Sequence, residues 1–147
     1  MLLLGTKNIS TQTVLADGII NIGSVYRKYC KKDRCGTTTF ARSSQDVTLQ
    51  QEGIYHVTAT FVASGDTAGV VTIQLVENGI EAEGAFASET ITTADTELRT
   101  LVIDYYILVD KDCVLGNEST IAKTISFLNT GIAATFTSVI VNVSKEA

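Results

Sequence analysis

Residues 69–93 read GVVTIQLVENGIEAEGAFASETITT. Two runs rich in β-branched and small apolar residues meet at Asn78-Gly79. Asn-Gly between alternating runs is a strong short-range sign of a hairpin, because both residues of a tight type I′ turn need positive φ. The stretch therefore predicts two antiparallel strands, and it holds no residue that obviously does chemistry.

The same signals extend in both directions. TVLADGIINIG (13–23), TTTFARSSQDVTL (37–49) and IYHVTATFVA (54–63) precede the hairpin, and LRTLVIDYYILVD (98–110), IAKTISFLN (121–129) and ATFTSVIVNVS (134–144) follow it. None shows a helical period. Proline is absent, so turns fall to Gly, Asn and Asp, as at Asp17-Gly18, Gly65-Asp66, Gly116-Asn117 and Asn129-Thr130-Gly131. Many short strands with turn signals between them predict an all-β, single-domain antiparallel β-sandwich of the jelly-roll kind.

Composition bounds the function. The chain has 147 residues, enough for one domain with its own core, and is 45% hydrophobic. No apolar run approaches the roughly 20 residues of a membrane helix. The opening MLLLGTKNIS has no basic leader and too short an apolar stretch for a secretory signal, which predicts synthesis in a cytoplasm. A net charge of −5 argues against nucleic-acid binding. Against that balance, Arg27, Lys28, Lys31, Lys32 and Arg34 cluster in YRKYCKKDRC. The run reads either as a solvated loop or as a docking patch for an acidic protein surface.

The faces of the strands carry the argument further. From Ile54 onward, Tyr55, Val57, Ala59 and Phe61 form an apolar face and His56, Thr58 and Thr60 a polar one. The strand beginning near Leu98 is apolar on both faces, with Leu101, Ile103, Tyr105, Ile107 and Val109 opposite Leu98, Val102, Tyr106 and Leu108. Simple alternation in the last strand puts Val139, Val141 and Val143 on one side and Phe136 and Ile140 on the other. A sandwich has one interior, so a strand apolar on both faces calls for a second cover, most economically another copy of the chain. Leu98, Val102, Tyr106, Leu108, Phe136 and Ile140 are the candidate interface.

Candidate chemistry is sparse. His56 is the chain's one histidine and sits among threonines without a placed partner for base catalysis. Cys30, Cys35 and Cys113 fit no standard zinc spacing, so no metal or cofactor is expected. Free or partly buried thiols suit them better, with a Cys30–Cys35 bridge as the alternative in an oxidising medium. DKDCVLGNE (110–118) collects carboxylates but lacks the spacing of a calcium loop. The residues point to a non-enzyme.

GIYHVTATFVAS (53–64) resembles the Gly-x-Tyr strand of the tumour-necrosis-factor/complement-type trimeric jelly roll. Residues 71–109 resemble its following hairpin and long strand, and ISFLNTGIAATFTSVIVNVSK (125–145) its closing pair. The lead-in DGIINIGSVYRKYC (17–30) is similar to that of compact versions in bacteriophage virion proteins and on bacterial spore surfaces. The collagen-like stalk of the spore-surface and signalling members is missing. The resemblance spans Asp17 to Lys145 and implies a homotrimer with apolar and aromatic side chains along its axis.

Together these imply a bacteriophage structural protein made in the host cytoplasm: an auxiliary or decoration protein, or a head-fibre base, on the capsid surface. Its partners would be its own copies and the major capsid protein or other virion proteins, with neither nucleic acid nor membrane. A receptor- or glycan-binding fibre tip and a bacterial surface trimerisation domain are the alternatives. The expected division is an attachment segment over residues 1–16 and the jelly roll over 17–147. Met1, Leu2, Leu3 and Leu4 as an apolar tip, with Arg27, Lys28, Lys31 and Lys32, are the candidate capsid contacts.

Overall fold

Asn78 and Gly79 take φ of 51° and 80°, the left-handed pair a two-residue turn demands. They join β8 (Gly69–Glu77) to β9 (Ile80–Ile91). The structure, a computed structural model, describes residues 2–28, 40–114, 117–120 and 122–146, the side chains of Leu2, 40–42, 111–114 and 117–120 excepted. The strands before this hairpin are β1 (Leu2–Asn8), β2 (Gln12–Val14), β3 (Gly18–Ile19), β4 (Ser24–Lys28), β5 (Phe40–Arg42), β6 (Asp46–Leu49) and β7 (Gly53–Gly65). After it come β10 (Arg99–Val109), β11 (Lys111–Val114), β12 (Asn117–Thr120), β13 (Lys123–Asn129) and β14 (Ala134–Lys145).

All pairings are antiparallel. The first sheet runs β10-β7-β14-β1-β4, with β2 extending the start of β14. The second runs β5-β6-β13-β8-β9, with β3 beside the end of β13. β11 and β12 pair with each other in a two-stranded ribbon of their own.

The core lies between the sheets, where period-2 alternation sends it. Tyr55, Val57, Ala59 and Phe61 of β7 are fully buried, as are Ile73 and Leu75 of β8. Phe61 meets Phe127 and Phe136 edge-on, at 5.3 Å and 6.2 Å between centroids, the geometry aromatic quadrupoles prefer. Tyr55 is buried but keeps its hydroxyl satisfied by donating to the Gln51 carbonyl at 2.7 Å, and burial pushes its pKa up. In β9, pairing steps from Phe86 opposite Gln74 to Glu81 opposite Val76, so residues 82–85 bulge out. The Gln74 amide fills this bulge, donating to the carbonyls of Leu75, Ala82 and Ala85.

Two expectations are corrected here. Phe136 does not share the outer face with Ile140; it is 0% exposed in the core. Between Phe136 and Ser138 the pairing with β7 shifts by one residue. This bulge reverses the alternation, so Phe136 points inward together with Val139, Val141 and Val143. A partner chain cannot reach it.

The second correction concerns the N-terminal segment. Leu3 and Leu4 do not form an exposed tip: they are 4% and 1% exposed. β1 lies between β14 and β4, with Leu4 opposite Val143 and Lys7 opposite Ile140. β1 and β2 make the segment before residue 16 part of the first sheet. Three consecutive leucines carry no alternation, and a bulge between Leu2 and Leu4 lets neighbouring residues both face the core.

Candidate assembly face

The outer face of the first sheet is built from the residues that alternate with the core. Register lines them up in rows across the strands. Val102, Thr60, Ile140 and Lys7 form one row; Asp104, Thr58, Asn142 and Gly5 the next; Tyr106, His56 and Ser144 a third. Leu108 sits opposite Ile54 beyond them.

At the β10 margin this face is apolar. Val102, Tyr106, Leu108 and Leu98 are each more than half exposed, and Ile54 on β7 joins them at 41%. The four candidates from β10 and its approach thus lie together, whereas Ile140 is half-buried two strands away. Ile54 went unnoticed in the sequence, although it alternates with His56 and Thr58 on the same face.

Towards β4 the face turns polar. The Tyr26 ring lies over Gly5, where a Cβ would stand 2.8 Å from its carbons, so glycine is what allows the ring to lie flat. The Tyr26 hydroxyl donates to Asn142 Oδ1 at 2.5 Å, and the Lys7 ammonium lies 5.6 Å from the ring centroid. Arg27 and Lys28 are exposed on the same margin strand. Met1, Lys31, Lys32, Cys30 and Cys35 fall outside the described residues, as do the side chains of Leu2 and Cys113.

His56 has partners that the sequence did not reveal. Its Nε2 hydrogen-bonds Asp104 Oδ1, its Nδ1 lies 4.0 Å from Glu146, and its ring stacks on Tyr106 at 4.4 Å and 7°. A catalytic triad sets a hydroxyl on one ring nitrogen and a carboxylate on the other. Here both nitrogens face carboxylates on an open sheet face, which is not that geometry. Among the described residues no three His, Cys, Asp or Glu side chains are placed to hold a metal ion.

The loop that delivers Leu98 to the margin is held by Glu97. Its carboxylate accepts from the backbone N–H groups of Thr93 and Thr92 at 3.0 and 2.5 Å, from the Thr92 hydroxyl, and from Arg99. These donors favour the ionised form and lower the Glu97 pKa to about 2, the Thr93 and Thr92 amides contributing most. A carboxylate depressed on folding stabilises the folded chain above its unfolded pKa of 4.5, and that stability is lost as pH falls towards 2. Melting temperatures measured from pH 5 to 2 should therefore decline less steeply in Glu97→Gln than in wild type. Parallel curves would remove Glu97 as the loop's anchor.

No protein-family model matches the sequence, and no curated protein matches it. Solved structures match it over nearly its whole length. Eiger TNF from S. frugiperda gives a TM-score of 0.65 at 10% identity, covering 99% of this chain and 93% of that one. The globular domain of zebrafish complement 1qA gives 0.57 at 7%, covering 97% of each chain. Vertex protein P5 of phage PRD1 gives 0.51 at 14%, covering 99% and 97%. The fold is the tumour-necrosis-factor/complement jelly roll. At such identities the likeness is one of architecture, and within this jelly roll the apolar margin at β10 is a property of this chain's own residues.

Proposed function

We propose that this jelly roll is a non-enzymatic structural protein of a bacteriophage virion. It assembles as a homotrimer through the outer face of its first sheet and sits on the capsid exterior as an auxiliary or decoration protein or a head-fibre base. The observation that carries the reading is the apolar margin formed by Leu98, Val102, Tyr106, Leu108 and Ile54. Scattered exposed apolar residues are ordinary, but several gathered along one sheet margin mark a contact surface. Fully burying one such side chain is worth about 1.5–3 kcal/mol, and further copies of the same chain are the cover always present during synthesis. The likeness to a phage vertex protein supports the virion setting.

Attachment to the major capsid protein falls to the basic segment that starts with Arg27 and Lys28 and continues to Lys31 and Lys32. Single exposed ion pairs contribute about 0–1 kcal/mol. Three copies held in one trimer gain by effective concentration. Mass spectrometry of purified virions should find the chain in the particle. Sedimentation of the isolated protein at micromolar concentration should give three times the chain mass. Particles without the chain would overturn the virion assignment, and a stable monomer would overturn the trimer.

A further inference from the structure

The apolar margin is interrupted by a polar pair, a carboxylate hydrogen-bonded to an imidazole. Along β10, Asp104 stands between Val102 and Tyr106 on the outer face, and it bonds His56 of β7, which is itself stacked on Tyr106. The side chains of His56 and Asp104 are 26% and 62% exposed, so in the free chain both remain in touch with water. Glu146, beyond the end of β14, faces the other nitrogen of the His56 ring. Asp104 also begins a polar row that continues through Thr58 to Asn142, which accepts from Tyr26. A polar band thus crosses the face between Val102 and Ile140 on one side and Leu108 and Ile54 on the other.

A hydrogen-bonded carboxylate carried into an interface adds little net affinity, because its desolvation offsets the attraction. Its effect falls on the alternatives. Any docking that presses Asp104 against a neighbour's Val102 or Leu108, or parts it from His56, buries an uncompensated charge. A stripe of aliphatic side chains alone tolerates sliding and more than one copy number. One polar group within an apolar seam is a known way to fix register and oligomer state at some cost in stability.

We infer that the His56–Asp104 pair is the register pin of self-assembly, selecting docking register and copy number rather than supplying affinity. This rests on the trimer reading above. Both residues lie on the solvent side of the sheet, so replacing them leaves the core intact.

Native mass spectrometry and sedimentation velocity on four proteins test it, with circular dichroism to verify folding. His56→Val alone leaves Asp104 without its partner and should weaken association about 100-fold or more. His56→Val with Asp104→Val should associate at least as tightly as wild type but spread over more than one stoichiometry. Thr60→Val, one row away and uncharged, should remain a single species like wild type. If the valine pair precipitates, His56→Thr with Asp104→Thr removes the same carboxylate–imidazole pair and carries the same expectation of mixed stoichiometry. A double variant that forms trimers alone overturns the pin, and so does one that is monomeric, since the pair would then be adhesive. A wild type that never trimerises takes down the trimer reading together with the pin. A trimeric wild type with a strictly trimeric double variant takes down the pin alone.

Discussion

Phe136→Asp is expected to abolish the folded chain, whereas Tyr106→Asp should leave it folded and strip it of its partners. Phe136 is fully buried and packs edge-on against Phe61. Removing a phenyl group from such a site costs about 3–5 kcal/mol through lost contacts and the cavity left behind. A carboxylate placed there adds a desolvation penalty of several kcal/mol more, with no cation among its core neighbours. Native domains are stable by only about 5–15 kcal/mol, so the variant should show no cooperative melting transition. Tyr106 is 59% exposed on the outer face. Its replacement loses the stack on His56 and sets a second carboxylate two residues from Asp104 on the proposed assembly surface. Circular dichroism melts with sedimentation velocity distinguish the two outcomes. A folded Phe136→Asp would refute the reversed alternation of β14, and a trimeric Tyr106→Asp would move the assembly surface elsewhere.

The second large effect is expected at Asn129→Leu, which keeps the branched shape of the side chain and replaces its polar atoms by bulkier methyl groups. Asn129 is fully buried at the end of β13. Its amide donates to the carbonyls of Val14 and Ile132 at 3.0 and 2.8 Å, and its Oδ1 accepts from the Gly131 N–H at 3.1 Å. One side chain thereby ties β2 to the turn that starts β14. Gly131 has no room to compensate, since a Cβ there would lie 2.4 Å from the Val70 carbonyl oxygen. Leucine would strand two acceptors and a donor, each costing about 1–3 kcal/mol when buried without a partner. Urea denaturation should therefore give a loss of about 3 kcal/mol or more. A loss under about 1 kcal/mol would mean that water reaches these groups and that Asn129 is not a tie.

Where alternation is unbroken, the sequence was enough to read the fold. The buried and outer faces of β7, the two faces of β10 and the Asn78-Gly79 turn follow from composition and spacing. The errors fall where one residue is inserted or where apolar residues run together. The bulge after Phe136 changes no composition, yet it reverses every inference of facing upstream of it. Leu2–Leu4 offer no period, and the basic residues of β4 carry no alternation that would mark a strand pairing with β1. The proposed assembly face was half legible, since Leu98, Val102, Tyr106 and Leu108 fall on one face of β10 and its approach by simple alternation. Its polar band was not, because His56 and Asp104 are 48 positions apart and meet only through strand pairing. Gln74 hides for a related reason: a lone glutamine in a strand gives no hint of the bulge it fills.

In the first sheet β14 lies between β7 and β1, although it is the last strand in chain order. On the ribosome, β7 and β1 are therefore finished long before the strand that must lie between them. Until residues 134–145 emerge, each has an unfilled edge facing that gap and an inner surface with no completed sheet around it. Pairings between distant segments form slowly, and open apolar edges are where nascent chains of different molecules find one another. Closure of the sandwich thus waits for β14, whose arrival fills the gap and joins the two halves of the sheet in one step.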